Sequence, residues 1–357
     1  MDETDELGRR LAAAVSRHDR RMQLMEVCGT HTVAIFRAGI RSLLPPGVRL
    51  LSGPGCPVCV TAAGEVERAM HLARVPGVSL AVFGDMLRVP GRRESLAEAR
   101  AEGAGVQVVY SPRDALELAR RHPKLRVVFW GVGFETTAPG VAAAVLEARA
   151  TGVDNFLVYC AHKLVPPALE ALLATGEVRV DGFILPGHVS TVLGTTPYAF
   201  LAERHGVPAV VAGFEPTDLL LALELLLRLV ERGEAKVENA YPRAVRREGN
   251  PAARAVMDRV FRPVDARWRG LGEIPGSGLA LREEFAAHDA ARQFALPEFP
   301  DAEPRGCRCG EVLRGAVLPP ECPLFDRRCT PVSPVGPCMV SSEGSCAAYH
   351  RYGRRAG

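Results

Sequence analysis

Short apolar runs recur along the first two thirds of the chain, and each is followed by a turn of small or polar residues and a helical segment. Eight runs have the composition of strands, at residues 24–27, 48–51, 79–83, 106–110, 127–130, 156–159, 182–185 and 209–212. Strands that alternate with helices are typical of parallel sheets with crossover helices. The pattern therefore predicts an α/β protein.

The first helices follow from local signals. Residues 3–21 have the pattern of an N-terminal helix. Thr30 is a suitable N-cap for a helix that runs to about residue 42, and the turn after the second strand leads into a helix at 62–73.

The strand-and-helix pattern stops near residue 241. Prolines and the glycine-rich segment 270–278 predict connecting loops around one helix at 252–261. After residue 296 the chain is rich in proline and contains six cysteines within forty residues. Such a segment has too few apolar residues to fold alone, so we expect a metal centre to hold it together.

Eight strand–helix units are compatible with two architectures, a closed β/α barrel or open parallel sheets. Either architecture places functional groups in the loops that follow the strands. Those loops contain many reactive side chains, so we expect a site at that edge. The residues concerned are Cys28, His31, Cys56, Cys59, Asp85, Arg88, Glu135, Cys160, His162, Lys163, His188 and Glu215.

Composition narrows the class of protein. The 357 residues are enough for two or three domains, and 47% hydrophobic with 24% charged residues is ordinary for a globular protein. The net charge is +3, from 44 basic and 41 acidic residues, so it does not indicate the strongly basic surface that binds a nucleic-acid phosphate backbone. We therefore expect no nucleic-acid partner.

The hydrophobic pattern also bears on location. The first 21 residues are charged throughout and have no apolar core of signal-peptide length. The longest apolar run, 219–227, contains Glu224 and is too short to span a bilayer. We expect a cytoplasmic protein with no membrane partner. In that reducing compartment, ten cysteines are better explained as metal ligands and redox thiols than as structural disulfides.

Three cysteines lie in two strand-to-helix turns. Cys28 precedes the helix predicted to begin at Thr30, and Cys56 and Cys59 form a CxxC pair after a Gly-Pro-Gly turn. A helix N-terminus stabilises a thiolate, so we expect lowered thiol pKa values in both turns. The CxxC pair by itself fits a redox dithiol and a zinc half-site about equally well.

The blocks MEVCGTHT, GPGCPVC, GFETTAPG, PGHVS, ECPLF and PCMVSSEGSCAAY, which run from residue 25 to residue 349, together resemble the HypD family of nickel-iron hydrogenase maturation proteins. The resemblance implies two α/β domains of open parallel sheet that face a cleft, and a third domain that holds an iron–sulfur cluster, rather than a barrel. The expected division is an N-terminal helix at 1–21, α/β domains at 22–132 and 133–240, and a cluster domain at 241–357.

The resemblance also implies the ligands of the tail. The spacing of Cys307, Cys322, Cys329 and Cys346 is similar to the pattern that binds a 4Fe-4S cluster in this family. The tail has no CxxC pair of the kind that zinc ribbons use. Cys309 and Cys338 remain, and either replaces a neighbouring ligand or joins the other in a redox pair beside the cluster.

The function that the resemblance implies is assembly of an Fe(CN)2CO unit for the hydrogenase large subunit, together with the small partner HypC and the cyanide donor HypE. Cys28 is the expected iron ligand and Cys56/Cys59 the expected two-electron dithiol, while His31, Glu135 and His188 complete the expected site. On this view the protein is a scaffold and not an enzyme. The alternative is a cluster-dependent thiol–disulfide reductase resembling ferredoxin–thioredoxin reductase, and a structural zinc protein is a third reading.

Overall fold

A computed structural model describes residues 21–44 and 47–353. The predicted helix at 3–21 lies outside the described residues, apart from Arg21. Over the described residues the chain forms the strands β1 (Met22–Glu26), β2 (Val48–Ser52), β3 (Val78–Val82), β4 (Val106–Val108), β5 (Arg126–Gly131), β6 (Phe156–Cys160), β7 (Gly182–Pro186), β8 (Ala209–Ala212), β9 (Val237–Asn239), β10 (Phe261–Trp268) and β11 (Gly272–Leu281). All eight predicted strands are present, with ends shifted by at most two residues.

Nine of these strands, β1 to β9, form two separate open parallel sheets, which confirms the α/β prediction and excludes the barrel alternative. One sheet has five strands in the order β2-β1-β7-β8-β9, and the other has four in the order β4-β3-β5-β6. The chain leaves the first sheet after β2, builds the second, and returns at β7. The expected domain boundary at 132/133 therefore falls inside the four-stranded sheet, because β5 and β6 pair across it.

The helices of the described residues are mostly short. They are α1 (Gly29–Arg37), α2 (Ile40–Leu43), α3 (Pro57–Val60), α4 (Ala63–Ala73), α5 (Gly84–Leu87), α6 (Leu96–Ala101), α7 (Pro112–Arg121), α8 (Ala138–Ala150), α9 (Val165–Thr175), α10 (Gly187–Leu193), α11 (Ala199–Glu203), α12 (Pro216–Arg232), α13 (Pro251–Val260), α14 (Ala290–Gln293), α15 (Cys309–Leu313), α16 (Pro337–Val340) and α17 (Ser345–Tyr352). Short 3-10 helices occupy Thr196–Tyr198, Glu283–His288 and Pro319–Glu321. The helix predicted at 30–42 is divided because Gly39 adopts a φ of 66°, which ends α1 before α2 begins.

Each parallel sheet is covered on both faces, so inner strands such as β3, β7 and β8 are buried along their whole length. On the five-stranded sheet, Leu24 and Leu50 pack beneath α1 and α12, whereas Met25 and Leu51 face α9 and the cysteine-rich tail. On the four-stranded sheet, α4 and α6 cover one face and α7 and α8 the other. No helix in the described part of the chain is both long enough and apolar enough to cross a membrane.

The segment 270–278 is not a connecting loop as predicted. Strands β10 and β11 form an antiparallel hairpin that begins directly after α13, and Trp268 and Ile274 on it are buried. The glycines permit the tight turn, since Gly270 and Gly272 both have a φ of 77°. The signal that this prediction missed was the alternation of polar and apolar residues within 261–268.

Candidate functional site

The two cysteine turns lie side by side because β1 and β2 are adjacent parallel strands that end together, with Glu26 opposite Ser52. The amide of Gly29 donates to the carbonyl of Gly55 at 3.0 Å. A Cβ at position 55 would overlap the backbone of Cys28, so only glycine permits this approach. The first strand-to-helix turn and the CxxC turn are therefore held backbone to backbone.

Cys28 opens into a cleft of about 440 Å³. Its walls come from both sheets and from the tail: Thr136 follows β5, His188 and Thr191 belong to α10, and Glu343 precedes α17. Thr30 donates to Glu343 at 2.7 Å, which ties the tail to the Cys28 turn. The structure thus brings Cys28, His188 and part of the GFETT block together at one site.

Burial determines the ionisation of Cys28. The residue is 7% exposed, and burial raises the pKa of its thiol to about 12. The backbone of His31 lowers this pKa, but the nearby carboxylates Glu343 and Glu26 raise it further. The prediction of a lowered pKa for Cys28 was wrong, because removal from water outweighs the dipole of one short helix.

Glu26 is a buried acid in the last position of β1 that supports the Cys28 turn. Its carboxylate accepts from the amide of Cys28 at 3.0 Å and from the hydroxyl of Thr32. Burial raises the pKa of Glu26 to about 7. Sequence reasoning missed this residue, although a single acidic residue inside an apolar strand was a signal for it.

The two histidines of the predicted site share one aromatic neighbour. Phe214 stacks on His188 with ring centroids 3.8 Å apart and also contacts His31 at 4.8 Å. Burial lowers the pKa of His31 to about 4, and partial removal from water also lowers the pKa of His188, which is exposed at the cleft surface. Both rings are therefore neutral near pH 7, and His188 lines the cleft while His31 lies behind it.

Glu135 lies apart from the cleft surface. Its carboxylate accepts from the amide of Val165 at 2.9 Å, at the start of α9. It is 1% exposed, and burial raises its pKa to about 8. The residue therefore links the GFETT turn to α9, and its buried carboxyl group is neutral near pH 7.

Cys56 and Cys59 form a disulfide that is almost fully buried, at 4% and 0% exposure. The amide of Cys59 donates to the sulfur of Cys56 at 3.2 Å, so Cys56 is the N-cap of α3. Helices α15 and α16 of the tail pack against α3. The disulfide thus lies between the cleft and the tail cysteines, within one continuous hydrophobic cluster.

The six tail cysteines surround a single cavity. Its lining includes all six sulfur-bearing residues, Cys307, Cys309, Cys322, Cys329, Cys338 and Cys346, and apolar side chains such as Leu324 and Met339. The sulfurs of Cys309 and Cys338 are 2.7 Å apart, and the amide of Val335 donates to the sulfur of Cys329 at 3.3 Å. In residues 21–44 and 47–353, no group of three or more His, Cys, Asp or Glu side chains is arranged so that it could hold a single metal ion.

This donor set fits the implied iron–sulfur cluster. Separate loops and short helices of the tail supply the thiols, apolar side chains lie between them, and an amide already donates to one sulfur, as is usual around such clusters. Contact with Cys309 raises the pKa of Cys307, whereas contact with Cys307 and Cys338 lowers the pKa of Cys309. The thiols of Cys307, Cys309 and Cys338 therefore interact with one another.

Cys160, His162 and Lys163 form a separate group at the end of β6. The sulfur of Cys160 lies 3.3 Å from Nδ1 of His162, and the ammonium of Lys163 contacts Glu65 at 2.6 Å. Burial raises the pKa of Cys160 to about 12 and lowers that of His162 to about 3. Asp85 and Arg88 also lie elsewhere, 3.8 Å apart, with Asp85 accepting from the amide of Ser342.

Comparison with known proteins gives a consistent result. The family model HypD, described as "Hydrogenase formation hypA family", matches residues 3–353. The chain is 51% identical to the hydrogenase expression/formation protein HupD of Azotobacter chroococcum mcd 1, over 98% of this chain and 94% of that protein. It is 50% identical to the hydrogenase maturation factor HypD of Azotobacter vinelandii, over 98% and 94%, and 47% identical to that of Cupriavidus necator, over 98% and 95%.

Proposed function

We propose that this chain, which belongs to the HypD family of hydrogenase maturation factors, is a redox-active scaffold on which the Fe(CN)2CO unit of nickel-iron hydrogenase is assembled. The iron and its diatomic ligands are the cargo. The proposed partners are a small HypC-type chaperone, a HypE-type cyanide donor and, indirectly, the hydrogenase large subunit. The proposed location is the cytoplasm.

Cys28 is the proposed protein ligand of the iron. Low-spin iron with cyanide and carbonyl prefers a strongly donating thiolate. Because the pKa of the free thiol is about 12, the proton leaves only when the metal binds. One thiolate fills one coordination position, so a second protein must complete the site, and the cleft beside Cys28 is large enough to admit a chain segment.

The neighbouring groups position Cys28 and its cargo. Glu26 and Thr32 fix the backbone of the turn, and Glu343 fixes Thr30 at its rim. His188 is neutral near pH 7 and lines the cleft, where its ring can hydrogen-bond a cyanide nitrogen. The outer groups that hold a metal ligand commonly tune the metal in this way.

The Cys56–Cys59 pair is the proposed two-electron reductant. Removing cyanide from a sulfur-bound thiocyanate requires two electrons, and a dithiol supplies them when it closes to a disulfide. The tail, through Cys307, Cys322, Cys329 and Cys346, is proposed to hold a 4Fe-4S cluster, which supplies electrons one at a time. Cys309 and Cys338, 2.7 Å apart, lie between that cavity and α3, so they are the proposed intermediate pair.

One observation carries the proposal: the Cys28 turn and the CxxC turn are in backbone contact at the edge of a cleft lined by the family blocks. A ligand bound to Cys28 lies within reach of the redox pair only because of the contact at Gly55. Two unrelated thiol sites would not need that contact.

Infrared spectroscopy of the chain purified without oxygen with its HypC-type partner tests the proposal. Cyanide and carbonyl stretching bands are expected, and they should disappear in Cys28→Ala. A complex that contains stoichiometric iron but shows neither type of band would contradict the scaffold role.

The buried disulfide beside a cysteine-rich cavity also favours a second function, a cluster-dependent thiol–disulfide reductase. This function predicts turnover of a protein disulfide by the isolated chain when a one-electron donor is supplied. Turnover that persists in Cys28→Ala, together with no cyanide or carbonyl bands in the parent complex, would favour the reductase.

A further inference from the structure

The six-cysteine cavity has an inner and an outer side. Cys309 and Cys338, at 3% and 1% exposure, are the most deeply buried and lie on the side where α15 and α16 contact α3. Cys307 is half-buried, and Cys322 at 9% is less deeply buried than the inner pair. The loops around residues 305–308 and 322–332 therefore form the outer wall, opposite the Cys56–Cys59 disulfide.

The outer wall bears positive charge that the folded chain does not neutralise. Arg305, Arg327 and Arg328 are exposed, and none of the three has an acidic partner within 4.0 Å among the residues that the structure describes. The two loops adjoin, because a Cβ at Gly306 would lie 3.7 Å from the side chain of Leu324. The three guanidinium groups thus belong to one surface.

The acidic residues of the same loops are already engaged. Glu311 pairs with Arg308, Asp326 lies 3.1 Å from Nε2 of His350, and Glu321 lies 3.3 Å from Arg49. Glu311 and Glu321 are thus paired with arginines, and the three exposed arginines outnumber the one remaining acidic residue, Asp326, so the surface that faces solvent is basic. A negatively charged partner matches it.

An apolar residue stands at the edge of this basic wall. Val332 is 96% exposed on the short loop after Cys329, and the amide of Val335 in that loop donates to the sulfur of Cys329. A small apolar contact within a charged rim is the composition of weak, transient interfaces that bury less than about 1,200 Å². The loop that holds a proposed cluster ligand is thus also the contact surface.

We propose that the outer wall, formed by Arg305, Arg327, Arg328 and Val332, is the docking surface for an acidic one-electron carrier protein. The inference deepens the proposed function, on which it rests. Reduction of one disulfide to two thiols takes two electrons and two protons, so two reduced carriers each lose one electron and leave oxidised. A carrier docked on the outer wall approaches the cavity opposite the disulfide that receives the electrons.

Binding of a plant-type 2Fe-2S ferredoxin, a small acidic one-electron carrier, tests the proposal. The cluster-loaded full chain is prepared without oxygen, and the oxidised ferredoxin is titrated by microscale thermophoresis, so the result does not depend on reduction potentials. Affinity should fall between about 20 mM and about 300 mM salt, since the attraction is between exposed charges. The double variant R327E/R328E should bind at least about tenfold more weakly at low salt.

The matched control is R113E/R121E, which changes the net charge equally through two exposed arginines on α7. It should bind within about twofold of the parent. A basic carrier of similar size, cytochrome c, should not bind the parent. Equal weakening in both double variants, or equal binding of cytochrome c, would overturn the proposal.

Charge reversal next to Cys329 risks loss of the cluster, so R327Q/R328Q is tested alongside, with absorption near ~400 nm as the measure of loading. Full affinity in a fully loaded Gln variant would also overturn the docking surface. A different result would reject the proposed function: a parent complex without cyanide or carbonyl bands that still binds ferredoxin. Lost docking with intact bands rejects the surface alone.

Discussion

Replacing Glu135 with glutamine tests whether this carboxyl group is buried in its neutral form. Burial raises its pKa from 4.5 to about 8, so between those values the folded chain keeps a proton that the unfolded chain has released. A group of this kind makes the folded state less stable as pH rises, by about 1.4 kcal/mol per pH unit within the window. Below pH 4.5 both states hold the proton and the effect vanishes.

Glutamine retains an oxygen that accepts from the amide of Val165 and does not titrate. As pH rises from about 5.5 to about 7.5, the free energy of unfolding of Glu135→Gln minus that of the parent should therefore increase by about 2.7 kcal/mol. At about 2.1 cal/mol/K per residue over roughly 330 residues, this gain raises the Tm difference between variant and parent by about 4 °C.

Thermal melting of both proteins under anaerobic conditions at the two pH values gives the measurement. Glu248→Gln, at an exposed position, is the control and should show the same small Tm difference at both pH values. If the Tm difference for Glu135→Gln is also the same at both, the carboxyl group is ionised in the folded chain and the reasoning fails. Because Glu135 lies outside the cleft wall, the infrared bands of the complex should persist in the variant.

Four further results are expected. Cys28→Ala should lose the cyanide and carbonyl bands but retain cluster absorption near ~400 nm, since the two sites lie in different parts of the chain; bands that remain would remove Cys28 as a ligand. Iron affinity at the Cys28 site should rise about tenfold per pH unit near neutrality, because a thiol with a pKa of about 12 must release its proton, and a pH-independent affinity would contradict this. In the reduced chain, Cys56 should be alkylated faster than Cys59, because an amide already donates to its sulfur and Cys59 is 0% exposed; mass spectrometry of the labelled peptides decides. Cys346→Ser should abolish the absorption near ~400 nm and lower the Tm of the tail, whereas Cys160→Ser should change neither, and unchanged absorption in Cys346→Ser would remove it from the ligand set.

Much of the fold follows from local patterns in the sequence. Eight apolar runs predict eight strands, because a strand buried on both faces is continuously apolar whatever its neighbours are. The helix at 251–260 likewise follows from local capping, because the side chain of Asn250 accepts from the amide of Ala253. The predicted cap of α1 was wrong, since α1 begins at Gly29 with Cys28 as its N-cap and Thr30 lies inside the helix. The family blocks also include residues that line the cleft, such as Cys28, Thr136 and His188. Each block is a short continuous stretch, so it can be recognised from the sequence alone.

What the sequence could not determine depends on contacts between distant residues. Strand β1 pairs with β7 although the whole four-stranded sheet lies between them in the sequence. Which strands pair depends on the edges that meet in space. The basic outer wall likewise exists only where two loops separated along the chain adjoin at Gly306 and Leu324.

The same reason explains the wrong pKa of Cys28. Local sequence places that thiol at a helix start, which lowers its pKa, but the tertiary structure buries it beside Glu26 and Glu343, which raises the pKa to about 12. Desolvation is a property of everything packed around a group, whereas a helix end belongs to a few consecutive residues. The sequence therefore determined which side chains are present at the site, and the tertiary structure decided their charge.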